Sequence, residues 1–223
     1  MLYIAPSLLA ADFSDLQTEI RRMEDSGANY LHLDIMDGHF VPNISFGAGI
    51  VKSIRKHTRL FFDVHLMISE PLRYAEDFIR AGADIITFHY EAVEDPKTFL
   101  NAMHSFEMPC GIAISPKTPV DVLYPFINDA KMFLIMTVEP GFGGQALIPE
   151  TLDKVRNLRR YAIQRGINVN IEVDGGINAE NAPHCTEAGA NILVSGSALF
   201  KDRHPKATVQ RMREAYREHP FLG

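Results

Sequence analysis

The amino-acid sequence predicts an α/β protein, a (β/α)8 TIM barrel that forms a single domain over residues 1–223. Eight short apolar stretches alternate with eight helical stretches, and no linker-like composition separates them. Regular alternation predicts a parallel sheet covered by helices, and eight repeats at this length favour a closed barrel. Glycine-rich turns follow the sixth, seventh and eighth strands, where many barrels bind phosphate. The alternative, an open doubly wound sheet, usually shows one glycine fingerprint early in the chain.

The elements of the first half are bounded by recognisable turn and helix signals. Residues 4–9 form a short apolar strand, and Asp12 opens a helix that ends near Gly27. Residues 30–36 alternate between apolar and polar side chains as a strand does, and residues 37–43 form a loop that is long for such a connection. The next predicted elements are a helix over 47–57, a strand over 60–67, a helix over 72–80, a strand over 85–89 and a helix over 96–106.

The second half repeats the pattern. Three helix ends share a small-residue signature around a glycine, at 26–28, 81–83 and 188–190, where glycine can take the left-handed conformation that ends a helix. Asn178 is expected to cap the helix that precedes the last strand. The predicted strands are 110–114, 132–138, 169–173 and 191–194, and the predicted helices are 118–127, 149–164, 178–188 and 205–218.

The bulk composition argues against several classes of function. The chain is 46% hydrophobic and 22% charged, with a net charge of −6 and no basic run, so neither nucleic acid nor an anionic membrane is an expected partner. The N-terminus lacks the pattern of a signal peptide, and no apolar segment is long enough to span a bilayer. Cys110 and Cys185 lie far apart and are typical of structural thiols in a reducing compartment. These features predict a cytoplasmic protein.

Histidine and aspartate side chains point inward from three predicted strands. His32 and Asp34 alternate on the second strand, His65 lies on the third, and Asp174 ends the seventh. Burying such groups is costly unless they are paired or bind a metal. A single histidine would be explained by a hydrogen bond within the core, but this set predicts one divalent metal ion, Zn, Fe, Mn or Co, bound by His32, Asp34, His65 and Asp174.

Glycine-rich turns at three adjacent strand ends predict a phosphate site. Backbone N–H groups of such turns and of helix N-termini bind anions without arginine or lysine. Each turn alone is weak evidence, because tight turns need glycine in any case. Together they predict a phosphorylated small molecule bound by Gly141, Phe142, Gly143, Gly144, Gly175, Gly176, Gly196 and Ser197.

Asp34 and Asp174 are predicted on strands that lie roughly across the barrel mouth. Two opposed carboxyl groups can remove a proton from one face of a carbon and return one to the other, while a metal stabilises the enediolate between the two steps. The alternative for Asp174 is a residue that caps a turn. Met36, Met67 and Met136 point towards the same site and could form a polarizable cap, although methionine also fills irregular core space.

Other polar residues lie near the same strand ends. Ser7 could contact a substrate hydroxyl, and Asp37 could hold the backbone of its own loop. His89, close to Glu91, could support the site or make a surface hydrogen bond. His39 lies with Asp37 in the loop after the second strand. The other five histidines are predicted on helices or loops away from the site, namely His57, His104, His184, His204 and His219.

From about residue 4 to residue 200 the chain resembles the ribulose-phosphate 3-epimerase family. The resemblance rests on the motifs PSLLAADF (6–13), HLDIMDGHFVPN (32–43), DVHLMI (63–68), MTVEPGFGGQ (136–145), EVDGGI (172–177) and SGSALF (195–200). It implies a divalent metal bound by the four residues named above, with Asp34 and Asp174 as the two acid/base groups. It also implies a methionine cap, substrate contacts at Ser7, at His65 and at the glycine-rich turns, and a homo-oligomer, either a dimer or a hexamer.

The implied activity is an isomerase reaction that interconverts D-ribulose 5-phosphate and D-xylulose 5-phosphate by two-base proton transfer at C3. Two alternatives remain at this point. The substrate could be a hexulose 6-phosphate such as D-allulose 6-phosphate, because Ser115 departs from residues that are common in the family at the end of strand five. The chain could also be a non-catalytic sugar-phosphate binding barrel, although a binder needs no opposed carboxylates.

Overall fold

The computed structural model describes residues 1–218 and 220–221. His219, which the sequence placed outside the site, lies outside the described residues. The eight strands are β1 (Tyr3–Pro6), β2 (Tyr30–Met36), β3 (Phe61–Met67), β4 (Ile85–His89), β5 (Cys110–Ile114), β6 (Met132–Met136), β7 (Asn170–Asp174) and β8 (Ile192–Ser195). The α-helices are α1 (Leu16–Asp25), α2 (Ala48–Arg55), α3 (Pro71–Ala81), α4 (Pro96–Ser105), α5 (Thr151–Gln164), α6 (Ala182–Ala188), α7 (Ser197–Phe200) and α8 (Pro205–Glu218).

All strand pairs are parallel, in the order β1-β8-β7-β6-β5-β4-β3-β2. A single parallel bridge between Ser7 and His32 joins β1 to β2 and brings the two edges of the sheet together. The predicted (β/α)8 barrel is therefore confirmed, and the open doubly wound sheet is excluded. Because all strands run in one direction, their C-terminal ends meet at one mouth of the barrel.

Two apolar regions support the barrel, one between the strands and the helices and one inside the sheet. Outward-facing strand residues such as Leu31, Leu33 and Ile171 pack against the helices in the main core. Inside the barrel, a smaller cluster that includes Ile85 and Met132 fills the N-terminal end. Tyr3, Tyr30 and Phe61 close that end, with ring centroids 5.3 Å and 4.6 Å apart for the two neighbouring pairs. The polar interior is thereby confined to the C-terminal half of the barrel.

The predicted helix boundaries are largely confirmed. The glycines of the three helix-end signatures, Gly27, Gly82 and Gly189, all have positive φ, between 87° and 109°. Asp12 caps the start of a short 3₁₀ helix over Phe13–Asp15. Helix α1 therefore begins only after Asp15, whose side chain accepts a hydrogen bond from a backbone N–H in the first turn. None of the helices in the described part of the chain combines the length and the apolar run that membrane spanning requires.

Three predictions of local structure were wrong. The helix predicted over 118–127 is a 3₁₀ helix over Val120–Phe126, because Pro125 inside it cannot donate a backbone hydrogen bond. The first strand ends at Pro6, and the apolar residues that follow form a 3₁₀ turn over Leu8–Ala10. The side-chain oxygen of Asn178 accepts hydrogen bonds from two backbone N–H groups in the turn before α6. The helix itself starts at Ala182, so Asn178 is not its N-cap.

Candidate active site

A cavity of about 660 Å³ opens at the C-terminal mouth of the barrel. Its lining contains nearly all of the predicted site residues, from β1, β2, β3, β6, β7 and β8 and from the loops that follow them. These residues are Ser7, Asp34, Met36, Met67, Met136, Gly141, Phe142, Gly143, Gly144, Asp174, Gly175, Gly176, Gly196 and Ser197. His32 and His65 lie beneath this lining and are fully buried, so the predicted contact of His65 with the substrate stays a prediction.

Strand pairing brings three of the four predicted metal ligands together. Alternate residues of a strand share a face, which puts His32 and Asp34 on the inner side of β2. The register of β2 with β3 sets Asp34 beside His65. Asp174, the last residue of β7, approaches the same point across the barrel, with its side chain 15% exposed.

The donor atoms of these four residues form a compact group. His32 Nε2, His65 Nδ1 and Asp34 Oδ1 are 3.3 Å apart in each pair. Asp174 Oδ2 lies 3.7 Å from His32 Nε2 and 3.9 Å from His65 Nδ1. Tetrahedral ligands about 2.0–2.1 Å from a zinc ion would be roughly 3.4 Å apart. The residues therefore fit a divalent cation in both donor chemistry and spacing.

The remaining polar atoms of the ligands also have partners. His32 Nδ1 lies 2.6 Å from Asp63 Oδ2, and Asp34 Oδ2 accepts a 2.6 Å hydrogen bond from the Ser7 hydroxyl. His65 Nε2 lies 2.9 Å from Nε2 of the fully buried His89. These contacts fix the orientation of three of the four donors, those of His32, Asp34 and His65, as partners of metal ligands commonly do.

The barrel interior holds more carboxyl groups than histidines. Glu172 is fully buried next to Asp63 and His32, and neither of its carboxyl oxygens has a hydrogen-bond partner among the described residues. Burial, reinforced by Asp63, raises the pKa of Glu172 well above its usual range. A group of buried carboxyls of this kind favours a bound cation.

The two predicted acid/base carboxyls have unequal environments. Burial alone would raise the pKa of Asp34, but charge and hydrogen-bond contacts with His32 and His65 outweigh it and hold that pKa well below the ordinary value. Burial and the nearby charge of Asp34 raise the pKa of Asp174 to about 7. A pair whose pKa values are pushed apart in this way suits one proton acceptor and one proton donor.

The three predicted methionines reach the cavity from different strands. Met36 and Met67 pack together with Val41, whereas Met136 packs with Leu134 and Val138. All three are at most 5% exposed and yet line the cavity. They form an apolar, polarizable wall beside the carboxyls.

The loops around the mouth are held by specific hydrogen bonds. Asp37 accepts bonds from the backbone N–H groups of His39 and Phe40 through Oδ1, and from the N–H and hydroxyl of Ser69 through Oδ2. Asn43 Nδ2 donates to the carbonyl oxygen of Gly141 at 2.8 Å, which joins the loop after β2 to the glycine-rich loop after β6. The structural role expected for Asp37 is confirmed.

Sequence reasoning missed some residues of this site. The sequence predicts either of two roles for His89, although its alternation with Thr87 and Ile85 on one strand indicates an inward position. Asn43 and Lys201 line the cavity and were not predicted. For Lys201, which follows the short helix α7, the local sequence carried no signal.

Known proteins with similar sequences share one description. The family model described as "Ribulose-phosphate 3 epimerase family" matches residues 3–200. The ribulose-phosphate 3-epimerase of Bacillus subtilis is 44% identical over 214 residues, which cover 96% of this chain and 99% of that protein. Those of Synechocystis sp. and Schizosaccharomyces pombe are 44% and 43% identical and cover 100% and 95% of this chain, and 97% and 92% of their own lengths.

Solved structures with a similar fold are more distant in sequence. The 3-hexulose-6-phosphate synthase of Salmonella typhimurium superposes with a TM-score of 0.72 at 16% identity, over 98% of this chain and all of that one. KGPDC of Streptococcus mutans gives 0.69 at 13% identity, over the full length of both chains. These similarities support the barrel fold alone. On the match over residues 3–200 and the full-length relatives, the chain belongs to the ribulose-phosphate 3-epimerase family.

Proposed function

We propose that this protein interconverts D-ribulose 5-phosphate and D-xylulose 5-phosphate, an isomerase reaction of the pentose phosphate pathway. Family membership and the matching relatives support this substrate pair. The observation that carries the proposal is the pair of carboxyls, Asp34 and Asp174, which share one cavity and one pair of histidines and have opposite pKa shifts.

In this mechanism Asp34, held by the Ser7 hydroxyl, takes the proton from C3 of one epimer. Asp174, on the other side of the cavity, returns a proton to the opposite face, and the two roles exchange in the reverse direction. The wall of Met36, Met67 and Met136 excludes water from the planar intermediate. Backbone N–H groups of the glycine-rich turns hold the phosphate.

One divalent cation, Zn, Fe, Mn or Co, would be held by His32, Asp34, His65 and Asp174, whose donor atoms all lie within 4.8 Å of one another. When bound, such a cation supplies positive charge that lowers the free energy of the enediolate. We also propose that the protein acts in the cytoplasm as a homo-oligomer, a dimer or a hexamer, as the family resemblance implies.

Exchange of the C3 proton with solvent tests the two-base mechanism. Asp34→Asn and Asp174→Asn are each expected to slow deuterium incorporation at C3 from D2O by about 10²–10⁴-fold, because each removes one acid/base group. Binding of the substrate should persist and is measured by calorimetry. Asp77→Asn, on the exposed face of α3, is the matched control. Wild-type exchange rates in both site variants would show the mechanism to be wrong.

Steady-state turnover of a pentulose and a hexulose phosphate distinguishes the two candidate substrate classes. We expect a higher kcat/KM for D-ribulose 5-phosphate than for D-allulose 6-phosphate with the metal-loaded protein. A markedly higher value for the hexulose would overturn the pentulose assignment. Binding of both sugars without turnover would instead favour a sugar-phosphate binding barrel.

A further inference from the structure

We propose that His89 and Glu91 are positioning residues that fix the tautomer of His65, so that its Nδ1 lone pair faces the metal position. This inference rests on the metal site of the proposed function and extends it to residues outside the four ligands. It follows from the direction of the hydrogen bonds along a short chain of groups, which runs from the buried His65 and His89 to the partly exposed Glu91.

The first link joins two imidazoles. His65 Nε2 and His89 Nε2 are 2.9 Å apart, and both side chains are fully buried. In neutral imidazole one ring nitrogen is a donor and the other an acceptor. One of the two facing nitrogens must therefore carry the proton and the other must not. The contact alone does not decide between them.

The second link, between His89 and Glu91, indicates which of the two facing nitrogens carries the proton. His89 Nδ1 lies 3.1 Å from Glu91 Oε2. An ionised carboxylate only accepts hydrogen bonds, so His89 carries its proton on Nδ1 and presents a lone pair at Nε2. His65 then donates from Nε2, which leaves the Nδ1 lone pair for a cation among Asp34, Asp174 and His32. Without a cation, Asp34 Oδ1 lies 3.3 Å from the same Nδ1 and competes for the proton as an acceptor.

The carboxylate itself is held in place by acceptor contacts. Glu91 Oε1 accepts from the backbone N–H of Ser115 at 2.8 Å and from the hydroxyl of Thr118. Lys154 of α5 donates to the carbonyl oxygens of Ser115 and Thr118 and so fixes the loop that carries these donors. Both oxygens of Glu91 are therefore used as acceptors, which sets the direction of the whole chain.

The imidazole of His32 is oriented by one direct contact with a carboxylate. Its Nδ1 lies 2.6 Å from Asp63 Oδ2, so Nε2 is the nitrogen available to a cation. His32 Nε2 and His65 Nδ1 then face each other at 3.3 Å, an unfavourable contact unless a cation lies between them. Asp63 orients one histidine directly, and Glu91 orients the other through His89.

The histidine tautomers can be determined by NMR in the wild-type protein. Long-range ¹H–¹⁵N NMR of the Zn²⁺-loaded protein should show His65 protonated at Nε2 and His89 protonated at Nδ1. A proton on Nε2 of His89 in the Zn²⁺-loaded protein would overturn the inference. This readout does not depend on turnover, so it stands even if the proposed epimerase activity fails.

Glu91→Gln tests the direction of the chain. The amide oxygen can accept from Ser115 and Thr118 while the NH₂ group donates to His89 Nδ1, which reverses both links and places a proton on His65 Nδ1. We expect the Kd for Zn²⁺, measured by competition with a chromophoric chelator, to rise about 10–100-fold. The NMR tautomer of His65 should change with it.

Glu94→Gln, an exposed position of the same segment, is the matched control and should leave the Kd unchanged. Thermal unfolding of both metal-free variants shows whether they fold as the wild type does. Unchanged Zn²⁺ affinity together with an unchanged His65 tautomer in Glu91→Gln would overturn the proposal. A wild-type protein that binds Zn²⁺ but does not epimerise the pentulose would count against the proposed function only.

Discussion

At the scale of single residues, the site depends on side chains whose two polar atoms contact different partners. His32 places one nitrogen on Asp63 and the other towards Asp34, Asp174 and His65. The alternation of residues 30–36 predicted this inward position, because a buried strand has few other reasons for such a pattern. The contact with Asp63 needed the register of β2 with β3, which no local pattern contains.

Asp37 gives a prediction at this scale. Its four acceptor contacts outweigh the effect of burial and lower its pKa to about 2. A lowered pKa means that its contribution to stability is fully present above about pH 4 and is lost as the pH falls towards 2. We expect Asp37→Asn to lower the free energy of unfolding at pH 7 by about 1–2 kcal/mol, since Oδ2 can no longer accept from Ser69.

Urea unfolding of the wild type and of Asp37→Asn, at pH 7 and again near pH 3, checks this expectation. The difference between the two proteins should shrink at the lower pH. Asp77→Asn on α3 serves as the control for the loss of one surface charge. A difference that grows on acidification would contradict the assigned role.

At the scale of elements, the sequence predicted most strands and helices to within a few residues. These bounds could be predicted because the turn residues and the helix-ending glycines that mark them, such as Gly82 and Gly189, are recognisable within a few residues of sequence. The 3₁₀ helix Val120–Phe126 and the short helix Ser197–Phe200 were not predicted. The first replaces an α-helix because Pro125 overrides the apolar pattern, and the second is too short to show a periodicity.

The turn after β7 gives a prediction for the phosphate site. Gly176 has a φ of 70°, and a Cβ there would lie 2.4 Å from the backbone nitrogen of Leu147. Gly176→Ala must therefore move one of the two loops that line the cavity. We expect KM for the sugar phosphate to rise at least about tenfold, which corresponds to about 1.4 kcal/mol of binding free energy.

Gly49→Ala, at an exposed position of α2, is the matched control, because a Cβ at Gly49 meets no atom within 4 Å and its φ is not in the left-handed region. Its KM should stay close to that of the wild type. Competitive inhibition by inorganic phosphate, measured on both variants, shows whether the phosphate end of the substrate is affected. Equal effects of the two substitutions would argue against a role for the turn geometry.

At the scale of the whole molecule, the predicted metal position joins strands that are distant in the sheet. His32 and Asp34 come from β2 and His65 from β3, whereas Asp174 comes from β7. The sequence could predict these four residues because each ends or approaches a strand end. It could not predict that Glu172 beneath them has no hydrogen-bond partner among the described residues, since this follows from the closure of the barrel.

Removal of metal should therefore destabilise the entire barrel. A ligand present at 1,000 times its Kd stabilises the folded state by about 4 kcal/mol. For a domain of this size that corresponds to a melting temperature about 8–16 °C higher. We expect a chelator to lower the Tm by about this amount, and added Zn²⁺ or Mn²⁺ to restore it. An unchanged Tm, with removal verified by elemental analysis, would contradict a metal bound between β2, β3 and β7.

The separation in sequence between Asp174 and the other three predicted metal ligands has a consequence for biosynthesis. His32, Asp34 and His65 leave the ribosome well before Asp174, so a nascent chain offers only three donors, and these face water. Such a site would favour ions by intrinsic affinity, with copper foremost. We expect the ion that the mature protein retains to be selected only after synthesis, once β7 has docked and the fourth donor completes the coordination.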